Sequence, residues 1–255
     1  MLTPELSRMN LSRVRLVATD MDGTLTTEGE FAPGLLQAFE QLRQHHIQVM
    51  IVTGRSAGWV SALVNYLPIV GAIAENGGLY ISKRNLEPVI LSDIPQIDTH
   101  RDCLSKLFET LQKHHPHLQP SVDNPYRLTD WTFDIEGLSQ ADMAALQAAC
   151  AQRQMGFTYS TVQCHLKLKQ QDKATGLVRV LAQEFPEITA DEVVTVGDSP
   201  NDESLFDPAR FPQSVGVANV AEYLPALAYV PKYITGAAGG QGFAELVAQL
   251  VKAAT

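Results

Sequence analysis

Two aspartates one residue apart, Asp20 and Asp22, close an apolar run from Val14 to Thr19, and Gly23 follows them. Side chains alternate along an extended chain, so the two carboxylates can project to one side. A carboxylate pair at a strand end can hold a hard cation, attack an electrophile, or divide acid and base roles. An EF-hand does not fit, because Leu25 and Phe31 stand where that loop needs Gly and Glu. Three further groups have the types such chemistry would use. Thr53-Gly54-Arg55 follows the apolar run Ile47 to Val52, Gly197-Asp198-Ser199-Pro200-Asn201-Asp202 follows Val193 to Val196, and Lys173 precedes a helical stretch.

The elements that must position these residues alternate between strand and helix. Val14 to Thr19, Ile47 to Val52 and Ile69 to Ala74 read as strands, separated by helices over Gly34 to His46 and Ser56 to Tyr66. Near-continuous apolar strands between helices predict a parallel sheet covered on both faces, and ligands of such sheets bind beyond the carboxyl ends of the strands. Asp20, Thr53 and Asp198 all fall there. The middle of the chain has another pattern. Leu79 to Leu91 reads as a hairpin, Thr99 to His114 and Ser139 to Gln154 as helices, and Pro125 to Glu136 and Phe157 to Lys169 alternate polar with apolar, which predicts antiparallel strands with one solvated face. The α/β pattern returns with a helix at Ala174 to Glu184, strands at Glu192 to Val196, Val215 to Ala218 and Ala228 to Val230, a glycine-rich loop at Gly236 to Gly242, and a closing helix at Phe243 to Lys252. The expected fold class is α/β: a Rossmann-like parallel-sheet core, residues 1–84 and 170–255, with an inserted α+β cap domain at 85–169.

Length and composition narrow the function. The chain has 255 residues and a net charge of −9, which argues against a nucleic-acid surface. An anionic substrate would therefore need local positive charge from a cation, a few basic groups or helix N-termini. The three cysteines form no metal-binding spacing and point to a reducing compartment. Residues 1–10 carry no apolar core of a signal peptide, and no stretch is long enough to span a membrane, so the expected location is the cytoplasm. No phosphate-loop or serine-elbow motif is present, and His45-His46 and His114-His115 read as solvated helix ends.

The set Asp20-Met21-Asp22-Gly23-Thr24-Leu25, Thr53, Lys173 and Gly197 to Asp202, in this order, resembles the haloacid dehalogenase superfamily of phosphatases. The long insert between Thr53 and Lys173, with Glu75-Asn76-Gly77-Gly78 before it and Gly240-Gln241-Gly242-Phe243 near the end, looks like the C2-type cap of its Cof-like, type IIB sugar phosphatases. The resemblance implies that Asp20 attacks phosphorus to form an aspartyl-phosphate and that Asp22 serves as acid and then base. It implies Mg²⁺ on Asp20, the Asp22 carbonyl and Asp198, with Asp202 close by, and phosphoryl oxygens held by Thr53, Gly54, Lys173 and Asn201. The substrate would be a small phosphorylated metabolite, in that subgroup a sugar phosphate.

Sorting the cap strands by face puts Trp131, Phe133, Cys164 and Leu166 inward. Asp130, Asp134, His165 and Lys167 then share an open polar surface, which the family resemblance places over the active site as candidate substrate contacts. His165 departs from relatives that often carry an acidic residue there. Two competitors stay open at this point: a phosphosugar mutase on the same scaffold, and a metabolite-binding regulator without turnover. The sequence fixes no oligomeric state.

Overall fold

The central strands are buried on both faces because helices cover both. The computed structural model describes residues 11–254; residues 1–10, read above for a leader, and residue 255 lie outside the described part. Strand β1 (Leu16–Thr19) is wholly buried and pairs in parallel with β4 (Gln48–Val52) and β11 (Val193–Gly197). The short β2 (Thr26–Thr27) and β3 (Glu30–Phe31) pair with each other beside this sheet. Beyond β4 lie β5 (Gly71–Ala74), β6 (Leu79–Ser82) and β7 (Val89–Ile90), and beyond β11 lie β12 (Gln213–Gly216) and β13 (Tyr233–Ile234). The eight strands run in the order β13-β12-β11-β1-β4-β5-β6-β7, with β6 and β7 joined antiparallel.

Alternation along the strands divides the core into two layers. Val17, Val49, Ile51 and Val194 meet helices α1 (Leu35–Gln44), α2 (Ala57–Tyr66) and α6 (Gly239–Ala254) through Phe39, Leu42, Val60 and Phe243. Leu16, Ala18, Met50 and Val193 meet α5 (Lys173–Glu184) through Ala174, Leu177 and Val180. The insert builds its own layer. Helices α3 (Ile97–His114) and α4 (Gln140–Ala151) cover one face of an antiparallel sheet ordered β8 (Trp131–Asp134), β10 (Gln163–Leu168), β9 (Met155–Tyr159). Leu104, Phe108, Phe133, Leu146, Cys164 and Leu166 fill that interface.

Four elements differ from the sequence reading. Phe157 to Lys169 is two strands, because Ser160 accepts the amides of Val162 and Gln163 in a tight turn that hidden alternation had masked. The last strand is Tyr233–Ile234 rather than Ala228 to Val230, which is exposed. Helix α6 begins inside the glycine cluster, at Gly239. β7 pairs within the large sheet, so that sheet extends past the residue 84 boundary.

Close glycine packing sets the register of α5. A Cβ on Gly77 would overlap the Asp172 carbonyl, and one on Gly176 would sit 2.7 Å from the Gly77 Cα. Gly77 also has φ +92°, a conformation that costs other residues steric strain. Asp172 caps α5 by accepting the Thr175 amide at 2.7 Å, and Lys173 is its first helical residue. Gly77→Ala should therefore lower stability by about 1–3 kcal/mol in urea unfolding and displace Lys173. Equal stability of the two proteins would refute this account of α5 placement.

Candidate active site

The carboxyl ends of β1, β4 and β11 converge on Lys173. Its ammonium group is fully buried and donates to Asp20 Oδ1 at 2.5 Å and to Asp202 Oδ1 at 2.7 Å. The other oxygen of Asp202 accepts the amides of Asp198 and Ser199 at 2.9 and 3.1 Å. Asp202 is thus anchored on both oxygens, at the start of the 3₁₀ helix Pro200–Phe206. Asp198 accepts from Thr24 Oγ1 at 3.0 Å and Asn219 Nδ2 at 2.8 Å. The sequence reading did not single out Thr24 or Asn219 as site residues. Thr24 was visible in the first motif, whereas Asn219 follows a weak strand with no local pattern to mark it.

The cluster is short of positive charge. Carboxylate oxygens of Asp20, Asp198 and Asp202 lie within 4.8 Å of one another. Burial, and then the charge of Asp202, push the Asp20 carboxyl up to about 7, against the pull of Lys173. Burial and the neighbouring Asp20 likewise push Asp198 well above the carboxylate range. Hard oxygen donors at this spacing suit Mg²⁺, whose charge would offset both effects.

Asp22 sits apart from that cluster, held by both arms of the Arg55 guanidinium at 2.8 and 2.7 Å. Arg55 in turn lies over the Trp59 ring, 4.9 Å from its centroid. Thr53 is buried and its hydroxyl accepts the Arg55 amide, which shapes the loop around Gly54. Ser199 donates to Asn201 Oδ1, and Asn201 donates to Asn76 Oδ1 at 3.0 Å.

The cap closes over this site. Asp130, His165 and Lys167 are buried against the core instead of forming the expected open surface, while Asp134 is exposed at the far end of β8. Asp20, Asp22, Gly54, Arg55, Asn201 and His165 enclose a cavity of only about 10 Å³, room for about one water. A cavity of this size is far smaller than a small-molecule binding site needs. Lys167 donates to the Gln171 carbonyl and so ties β10 to the segment leading into α5.

Two buried charges fasten the closed form. Arg127 of the cap donates to the Gly54 carbonyl at 2.9 Å and pairs with Asp123 and Asp130. Glu75 of the core accepts from Ala57 N, Leu128 N, Thr129 N and Thr129 Oγ1, at distances from 2.6 to 3.1 Å. Sequence reasoning placed Glu75 only in a motif and missed Arg127, since neither has an apolar period that reveals its partner.

Known proteins resemble this chain in sequence and in fold. Residues 17–122 match the family model of haloacid dehalogenase-like hydrolases. A phosphoglycolate phosphatase of Methanothrix thermoacetophila is 27% identical over 238 residues, 92% of this chain and 96% of the relative. A solved structure from Thermoplasma acidophilum superposes with TM-score 0.76 at 21% identity, covering 93% of this chain and 98% of that one. The sucrose-phosphatase of Synechocystis sp., solved with sucrose and phosphate, gives 0.65 at 16%, covering 92% and 97%. The chain is thus similar to haloacid dehalogenase-like hydrolases over residues 17–122, and its fold is that of the solved structures above. Its enzyme class is phosphatase.

Glu75→Gln should loosen the cap. The new amide NH₂ would face N–H donors, leaving at least one buried donor unmatched, at about 1–3 kcal/mol. Urea unfolding above about pH 8, where the carboxylate is ionised, measures the loss; an unchanged midpoint would contradict the clamp.

Proposed function

We propose that this protein is a Mg²⁺-dependent phosphatase of small phosphorylated metabolites that works through an aspartyl-phosphate on Asp20. The observation that supports it best is the convergence of Asp20, Asp198 and Lys173 at 2.5 to 4.8 Å in a buried pocket with net negative charge. Asp20, the Asp22 carbonyl and Asp198 would hold the ion, which would supply the charge neutralisation that lets an anion approach three carboxylates. Asp202, engaged on both oxygens, would orient Lys173 and the Asp198 backbone rather than contribute freely.

The residues divide the work as follows. Asp20 attacks phosphorus along the axis opposite the leaving oxygen. Lys173, Thr53, Asn201 and the Gly54 amide hold the equatorial oxygens. Asp22 protonates the leaving oxygen, then removes a proton from the attacking water, and for that it must exchange its pairing with Arg55. Arg55 is free to swing because its other anchor is a half-exposed indole. The substrate class, sugar phosphates or other small phosphomonoesters, is set by the cap.

Asp20→Asn is nearly isosteric and should keep the fold, while hydrolysis of an aryl phosphate falls below about a tenth of wild type. Turnover above that level would remove Asp20 as nucleophile. Chelation should abolish phosphate release and added Mg²⁺ restore it. Full activity in excess chelator would overturn the metal assignment. A mutase would differ by releasing little phosphate without a bisphosphate activator.

A further inference from the structure

The space beside Gly54 is bounded by one acceptor and one donor without partners. His165 Nδ1 lies 2.8 Å from Asp130 Oδ2, and both side chains are buried. Asp130 is an acceptor held ionised: Arg127 and His165 keep its carboxyl below the usual range against the cost of burial. Nδ1 must therefore carry the proton. Burial also pushes the imidazole below its ordinary value, which leaves the ring neutral and Nε2 a bare acceptor.

The donor is Asn76 Nδ2. Asn76 is 1% exposed, and this nitrogen has no hydrogen-bond partner. Its orientation is set from behind, since Ser199 donates to Asn201 and Asn201 donates to Asn76 Oδ1. The two groups meet at Gly54: a Cβ there would lie 3.0 and 3.1 Å from His165 Cε1 and Nε2 and 3.2 Å from Asn76 Nδ2. His165 also lines the cavity above Asp20, Asn76 lines a cleft of about 520 Å³, and Asn201 lines both.

A bare acceptor beside a spare donor matches one chemical group, a hydroxyl, which donates to the first and accepts from the second. We infer that His165 and Asn76 read a hydroxyl on the carbon next to the phosphoester, with Asp130 as the residue that positions the imidazole. This inference rests on the phosphatase reading above. It selects polyol and sugar phosphates over phosphorylated acids such as phosphoglycolate. A carboxylate at the same distance carries no proton for Nε2 and would set two lone pairs against each other.

The test compares kcat/KM for glycerol 3-phosphate, n-propyl phosphate and 2-phosphoglycolate in each protein. Wild type should favour glycerol 3-phosphate over propyl phosphate by about ten- to hundredfold, and over phosphoglycolate by a similar factor. His165→Ala and Asn76→Gly (which suits the left-handed backbone at that position) should each cut the first ratio below about threefold. The ratio is read within one protein, so a general loss of cap closure cancels. Asp130→Asn goes further. With Arg127 holding its oxygen, the amide NH₂ would donate to Nδ1 and move the proton to Nε2, so preference should shift toward phosphoglycolate. A wild-type ratio near one, a ratio that survives both variants, or a wild-type preference for phosphoglycolate would overturn the inference. Phosphate release from none of these compounds, nor from an aryl phosphate, would instead overturn the phosphatase reading and this one with it.

Discussion

One buried ammonium group organises this molecule. Lys173 bridges Asp20, after β1, and Asp202, in the 3₁₀ helix after β11, which lie more than half the chain apart. Burying an ion is costly, and the attraction repays it only when geometry is close and the remaining bonds are met. Here both conditions hold, because the pair of carboxylates keeps Lys173 above its ordinary value in spite of full burial. The position of the ammonium depends in turn on α5, on the Asp172 cap and on the contact between Gly77 and Gly176. Chemistry at Asp20 and packing at Gly176 are therefore consequences of one placement.

The same loop that begins with this packing also carries the fastening of the cap. Glu75 and Asn76 have φ near +53°, a left-handed turn that non-glycine residues adopt at some cost. The turn aims Glu75 at the amides of Leu128 and Thr129 and Asn76 at Asn201. A run of four residues after β5 thus touches α5, the insert and the Asn201 side of the site. Strain in the turn is offset by the hydrogen bonds it makes on three sides. The arrangement holds only when cap and core are together, which couples local backbone geometry to closure.

Much of this was legible in the sequence, and the limits have physical causes. Asp20, Asp22, Thr53 and Asp198 could be placed because buried parallel strands announce themselves as apolar runs and their ends are where ligands bind, whereas Lys173, at a helix start, entered through the family resemblance. The inward face of the cap followed from alternation, as Phe133, Cys164 and Leu166 show. What alternation could not give is what lies opposite the polar face. Asp130, His165 and Lys167 were expected to face open space and instead are covered by the core. Period-two patterns report the difference between faces, and a polar face satisfied by buried partners looks the same as a solvated one. Arg127, the largest of the fully buried side chains, had no pattern at all. Its partners Asp123 and Asp130 are close in sequence, but its bond to the Gly54 carbonyl spans the two units and exists only in three dimensions.

That bond ties the loop at Gly54 to the insert. Gly54 is the residue whose amide is proposed to hold a phosphoryl oxygen, and its carbonyl accepts from Arg127 of the cap. The amide and the carbonyl of Gly54 belong to adjacent peptide units, so Arg127 fixes the unit that follows the one proposed to hold the phosphoryl oxygen. Arg55, one residue on, has Asp22 as its carboxylate partner. Arg127 has Asp123 and Asp130, which hold its charge from the cap side. The two arginines thus have different roles at one loop. Arg127 joins the insert to Gly54 as a charge fixed by its own carboxylates, and Arg55 belongs to the core and holds Asp22. A change in the Gly54 loop that turned its carbonyl away would lose the Arg127 bond, so contact with the insert favours the loop geometry seen here.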